Sequence, residues 1–246
     1  MKAFKADLHI HSVLSPCADL EMSPINIVKR AKEQGLDFIG ITDHNSTKQA
    51  KTTRDIGSKY GLPVFMGVEI TTREEVHCLC FFDNDNALDE FQQYIEEHQP
   101  RFSYNPETLG YQVCVDENEQ ITEQIEYYLG VALEKGIDEI CDKVHSLNGL
   151  FIPAHINRSR YSLISQLGFV PPDIKANALE LFNRSSKDEL LHKYSYLSRF
   201  SLMKNSDSHY LKQVGAYYSS YNMNECTFEE FRMAIARING RSVEIL

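Results

Sequence analysis

No stretch of the chain approaches eighteen unbroken apolar residues, which argues against a membrane-spanning helix. The six cysteines (Cys17, Cys78, Cys80, Cys114, Cys141, Cys226) lack the spacing of a disulfide framework. A chain of 246 residues buries a core without such staples, so they read as reduced thiols. Behind Met1 there is neither an apolar signal core nor a small-residue cleavage site, and the expected location is the cytoplasm. Basic side chains are also short: 25 Lys and Arg stand against 35 Asp and Glu, a formal charge of −10. Wide contact with a nucleic-acid backbone needs the opposite balance, because phosphates are neutralised by lysine and arginine. A small nucleotide or a strand end entering a pocket is not excluded on this ground.

What is present is ordinary for a soluble globular domain, with 42% hydrophobic and 24% charged residues. Short apolar runs alternate with segments of helical period, the mark of repeated β-α units. Strands are predicted at Phe4–Ile10, Phe38–Thr42, Val64–Ile70, Val76–Phe82, Leu150–His155, Ala178–Phe182, Leu202–Asn205, Ala216–Tyr221 and Ser242–Leu246. Ser23-Pro24 starts a helix that Gly35 ends, Lys48–Tyr60 is a second, and Phe228–Ile238 a later one. Between Asn84 and Cys141 the rhythm changes to acidic and polar sequence, with helices expected around Leu88–His98 and Ile121–Ala132. The predicted organisation is one α/β barrel-like domain (1–83 and 142–246) carrying an insertion (84–141) that serves as a cap or lid.

The chemistry lies at the strand ends. Asp7, His9 and His11 fall on one side of the first strand by alternation, and two converging imidazoles suit a divalent transition metal. The flanking carboxylate would ligate or hold an imidazole in its tautomer; alternatively the histidines are polar surface. Asp43-His44-Asn45 leaves the second strand where β/α proteins place functional groups, though Asp43 or Asn45 could also cap the next helix. Glu69 is embedded in apolar sequence, and a buried carboxylate requires a cation. His155, Asp207 and His209 follow the same placement, whereas His77 sits near the beginning of its predicted strand and not at the end. Six of the nine histidines lie in or just after predicted strands, leaving His98, His145 and His192 on helices. Cys78-x-Cys80 has the form of a metal motif, yet both thiols face one side of an apolar strand and read as core.

Asp-Leu-His-Ile-His-Ser, Ile-Thr-Asp-His-Asn, Gly-Val-Glu-Ile, Pro-Ala-His and Ser-Asp-Ser-His, in that order over residues 7 to 209, resemble the polymerase and histidinol phosphatase (PHP) superfamily. The resemblance implies a distorted (β/α)7 barrel of the PHP type with an inserted, mainly helical segment. It also implies two or three divalent ions (Zn, Mn or Fe) in a trinuclear site that hydrolyses phosphoesters by metal-activated hydroxide. By motif, His9, His11, Glu69 and Asp207 would hold one ion, Asp19, His44 and His209 a second, and Glu69, His77 and His155 a third. Cys17 is the alternative to Asp19. Asp7 and Asp43 would support the ligands from behind, His209, His44 and Asp207 would assist catalysis, and Arg158, Arg160 or Arg184 would grip phosphate.

The expected partner is a small phosphorylated substrate, a nucleotide or an oligonucleotide end, with no membrane contact and no extensive nucleic-acid surface. Histidinol-phosphate-type phosphatase activity and a non-catalytic, structural PHP domain are the alternatives.

Overall fold

In the computed structural model, which describes residues 1–245, the alternation of strand and helix is established at once. β1 (Lys2–Asp7), α1 (Pro24–Glu33), β2 (Phe38–Ile41), α2 (Ala50–Lys59) and β3 (Val64–Thr71) form two consecutive β-α-β units with parallel strands. The Ser23 hydroxyl accepts from Asn26 N–H to cap α1, Pro24 opens it, and Ile27, Val28 and Ala31 are the face it buries. Gly35, just past its end, takes φ +69°, a conformation that favours glycine.

The chain continues through β4 (His77–Phe82), α3 (Asp85–His98), a single-turn α4 (Pro106–Leu109), β5 (Val113–Val115) and β6 (Ile121–Gln124). Then come α5 (Ile137–Ser146), β7 (Leu150–Pro153), α6 (Leu163–Leu167), β8 (Leu179–Glu180), α7 (Lys187–Lys193) and β9 (Leu202–Met203). β10 (Ser219–Met223), α8 (Phe228–Ile235) and β11 (Ser242–Ile245) complete it; the last residue of the predicted final strand, Leu246, lies outside the described residues. Among the described residues, no helix is long and apolar enough to cross a membrane.

The main sheet runs β11-β10-β1-β2-β3-β4-β7. It closes into a barrel through single bonds: Asn177 N–H to Phe151 O and Ile156 N–H to Glu180 O join β7 to β8, and β8 pairs in parallel with β9. Past β9, His11 N–H to Ser208 O and Ser208 N–H to His9 O return to the extension of β1. Seven strands therefore encircle the core, with β10 and β11 outside the ring.

The barrel is distorted because β4 is antiparallel to both β3 and β7. Only five residues separate Thr71 from His77, and a parallel crossover needs a dozen or so. Ala6, Leu8, Phe38, Leu79, Phe81, Ile152 and Met203 pack together as part of the interior.

Ile121–Ala132 differs from the helix read in the sequence. Ile121, Ile125 and Leu129 are spaced as on a helix, but Ile121 is exposed and lies in β6, while Ile125 and Leu129 are buried beyond it. Tertiary contacts override the spacing: the Gln112 side chain donates to Tyr127 O and accepts from Leu129 N–H.

α5 straddles residue 141 and packs Ile140, Cys141 and Val144 into the same apolar cluster as β3 and β4. Between α3 and α5, the stretch 99–136 carries the single-turn α4 and the antiparallel β5-β6 pair. It is pinned down: Gln49 exchanges two hydrogen bonds with the Val115 backbone, Ser23 and Asn26 donate to Glu119, and Lys59 pairs with Glu117. Neither Asp43 nor Asn45 caps α2, whose N-terminal flanking residue is Gln49 and carries no side-chain cap.

Candidate metal centre

Strand ends at one rim of the barrel deliver every group of the centre. His9 and His11 lie on the extension of β1, His44 follows β2, Glu69 is in β3, His155 follows β7, Glu180 ends β8, and Asp207 and His209 follow β9. His77 stands at the beginning of its strand and still reaches this rim, because β4 is antiparallel to β3 and pairs His77 with Thr71.

Glu69 is the hub, and it is buried. Its Oε1 lies 2.9 Å from His77 Nδ1, 3.2 Å from His9 Nε2 and 3.2 Å from His155 Nε2; its Oε2 lies 3.1 Å from His44 Nδ1 and 3.3 Å from His11 Nε2. Asp207 Oδ1 is 3.5 Å from His9 Nε2 and 3.4 Å from His11 Nε2, and those two ring nitrogens are 3.2 Å apart. The His209 ring stacks on His11, with centroids 4.3 Å apart.

Three overlapping groups have the geometry to hold an ion: His9, His11, Glu69 and Asp207; His11, His44 and His209; and His44, Glu69 and His77. His155 joins them through its contact with Glu69.

The electrostatics fit a cation. Burial pushes the Glu69 carboxyl up, but the histidines around it, the protonated His9 and His11 among them, outweigh it and hold the group well below the usual range. Asp207 is likewise held ionised, burial being overcome by His9 and His11. Burial lowers His44 and His77, and takes His209 down to about 4, which leaves three neutral imidazoles with a lone pair to give. Burial also opposes protonation of His9 and His11, yet the carboxylates win, raising His9 well above its usual value and His11 to about 9. Protons on those two rings occupy the place a metal ion takes when ligands deprotonate. Three buried atoms of the centre, His44 Nδ1, Glu69 Oε2 and His155 Nδ1, have no hydrogen-bond partner. Buried polar atoms are ordinarily satisfied, so orphans clustered on a carboxylate among imidazoles fit a divalent ion.

Behind the centre the supports divide. Asp43 accepts from Ser12 N–H, the Ser12 hydroxyl and the Ser15 hydroxyl, and Ser15 Oγ lies 3.0 Å from His11 Nδ1. Asp43 therefore orients His11 through a serine. Asp7 reaches no imidazole; it accepts from Ser206 N–H, the Ser206 hydroxyl and Gly215 N–H, and so pins the loop that carries Asp207. Burial pushes its carboxyl up to about 6.

Glu180 lies outside the motifs read in the sequence. It lies 3.0 Å from His9 Nδ1 and accepts from His155 N–H and the Asn205 amide. The signal was available: in Ala178-Leu-Glu-Leu it is a carboxylate inside an apolar strand, as Glu69 is.

Arg158 Nη1 donates to Asp207 Oδ2 at 2.8 Å, whereas Arg160 and Arg184 are exposed and stand outside the ion pairs among the described residues. Asp19 joins none of the three groups. Its backbone N–H donates to His209 O, and its carboxylate closes a turn on Glu21 N–H. Cys17 is exposed and likewise outside them, and Cys78 and Cys80 are buried in the core.

Comparison with known proteins places this architecture. The chain is 22% identical to protein YqxK of Bacillus subtilis over 99% of its own length and 64% of that protein. It superposes on the lesion-specific endonuclease EndoQ of Pyrococcus furiosus with a TM-score of 0.75 at 22% identity, covering 98% of this chain and 58% of that one. A putative metal-dependent phosphoesterase of Bifidobacterium adolescentis gives 0.58 at 18% identity, over 83% of this chain and 87% of that one. The chain thus spans less than two-thirds of the first two.

Endonuclease Q has also been solved with a 27-mer duplex carrying an abasic lesion at its active site, and that complex matches at a TM-score of 0.73. It overturns the expectation of a small phosphorylated substrate with no extensive nucleic-acid surface. Net charge does not argue against such a substrate, because it sums over the whole surface, whereas phosphate neutralisation depends on where charges are placed.

The model of the PHP domain matches residues 7–194, more than three-quarters of the chain and every group of the rim except Asp207 and His209: this chain belongs to the PHP domain family of metal-dependent phosphoesterases and nucleases.

Proposed function

We propose that the centre binds two or three divalent ions and hydrolyses a phosphodiester in a nucleic-acid strand. The observation that carries this is Glu69, a buried carboxylate within 3.3 Å of five imidazoles and with one oxygen lacking a hydrogen-bond partner. His9, His11, Glu69 and Asp207 would hold one ion, His44 and His209 a second, and Glu69, His77 and His155 a third. Asp19 would join His209 at the second by releasing Glu21 N–H. Bound zinc, manganese or iron acidifies water and neutralises charge that develops on phosphoryl oxygens.

The protein's own groups do the rest. Glu180 and Ser15 take the Nδ1–H of His9 and His11, which leaves both Nε2 atoms facing the centre. Arg158 spends one donor on Asp207 and keeps the others for a phosphate oxygen. His209 is partly exposed and gives its Nδ1–H to Asp207 O, which leaves its Nε2 to hold the second ion or, with that ion absent, to move a proton at the leaving oxygen. The loop 125–135, fixed beside His44 by Asn45, forms one wall as a docked cap.

The test is strand cleavage of single-stranded and duplex DNA, intact and abasic, and of RNA, with Mn²⁺ or Zn²⁺ and with a chelator. Metal-dependent cleavage of one class is expected. Bound metal with no cleavage of any strand would instead indicate a binding or structural domain.

A further inference from the structure

The loop that follows β7 does more than present His155. Within seven residues it sends three side chains to one place. His155 Nε2 is 3.2 Å from Glu69, Arg158 is 2.8 Å from Asp207, and the Tyr161 ring lies flat on His77, with centroids 4.6 Å and planes 14° apart. Tyr161 holds this position at φ +55°, in the left-handed region that a residue with a bulky side chain rarely adopts. Its carbonyl accepts from His77 N–H at 3.0 Å, the Ser162 hydroxyl donates to Arg158 O at 2.7 Å, and Asn157 Oδ1 accepts from Phe182 N–H at 2.9 Å. Strained backbone that is held this firmly is typical of ligand clamps. One face of the ring covers a buried imidazole, yet the residue remains 39% exposed, so its other face is open.

We propose that this open face of Tyr161 is a stacking platform for a nucleobase next to the cleaved phosphate, which makes the preferred substrate a strand whose base there is unpaired or turned out of the helix. The proposal rests on the nucleic-acid reading above. Arg158 and Tyr161 are three residues apart on one rigid loop, a guanidinium for the phosphate and a π-face for the base that the same backbone carries. A base inside a duplex already has neighbours on both faces, and only an extruded or unpaired one can lie on a side chain. The competing role is a brace that merely keeps His77 in place.

Tyr161→Asn removes the ring but suits the left-handed backbone, and Tyr161→Phe keeps the ring. Each is compared with the parent protein on two oligonucleotides: one unpaired and fully base-bearing, the other with tetrahydrofuran residues on both sides of the scissile phosphate. The expected result is a KM raised roughly tenfold or more by Tyr161→Asn on the base-bearing strand, no such rise for Tyr161→Phe, and closure of the gap on the abasic strand. Equal losses on both strands, or a drop in bound metal, would overturn the platform and leave the brace. Failure of the parent protein to cleave either strand would overturn the nucleic-acid reading itself, and this proposal with it.

Discussion

His9 Nδ1 lies 3.0 Å from Glu180 Oε2, and both residues are buried. The carboxylate fixes the proton on Nδ1, so Nε2 is the nitrogen that faces Glu69 and Asp207. The same carboxylate also accepts from His155 N–H at 2.9 Å and from the Asn205 amide at 2.7 Å, which locks three strand ends together. Glu180→Gln replaces one acceptor oxygen by a donor, and one of these partners then faces another N–H. Metal affinity is expected to fall about 10- to 100-fold, the usual effect of losing such a support, while the fold persists. Competition with a chelating dye measures it; unchanged affinity would show that Glu180 is packing alone.

Glu69 and Asp207 are both carboxylates among histidines, but Glu69 belongs to two of the three ion-holding groups and Asp207 to one. Glu69→Gln is therefore expected to remove more bound metal per chain than Asp207→Asn, with strand cleavage lost in both. Elemental analysis of gel-filtered protein gives the count. Equal loss from the two variants would mean that the groups fill as one cooperative unit.

The histidines were legible in the sequence because imidazoles and carboxylates at the ends of apolar strands have little reason to be there as packing. His77 looked misplaced at a strand start. The five-residue connection from Thr71 contained the answer, since it permits only an antiparallel return. Ser15 and Tyr161 could not be found in this way: a serine and a tyrosine in loops are unremarkable until a fold sets one on His11 and the other on His77. The relation of Asp7 to Ser206 and Gly215 spans about two hundred residues and leaves no local signal.

Asn45 illustrates the same limit. It reads as a helix cap, but its Nδ2 donates to Leu129 O at 2.7 Å and Val131 O at 2.8 Å, and its Oδ1 accepts from Thr71 N–H at 2.9 Å. It does so at φ +47°, which asparagine tolerates better than most residues. Asn45→Ala would leave three backbone groups without partners, at a cost of about 2–5 kcal/mol in all. Urea denaturation should show that loss, and amide exchange should quicken over residues 129–133. A loss below about 1 kcal/mol would mean that water replaces the side chain.

Away from the metal centre, Glu230 supplies a pH test of the fold. Its two oxygens are held by Arg241, at 2.6 Å and 2.9 Å, and by Asn224 N–H at 2.8 Å, which ties the end of β10 and the first turn of α8 to the start of β11. The Arg241 guanidinium holds the carboxyl down to about 2 in the folded chain, against 4.5 without these partners. Because the folded value is the lower one, the unfolded chain takes up the proton first as pH falls. The stabilisation is complete above about 4.5 and is lost progressively between there and about 2. Glu230→Gln has no such group to titrate. In metal-free protein, its Tm should lie below that of the parent at pH 6, and the gap should narrow as pH falls through this window. Parallel curves from pH 6 to 2 would show that the carboxylate adds nothing beyond what a neutral amide supplies.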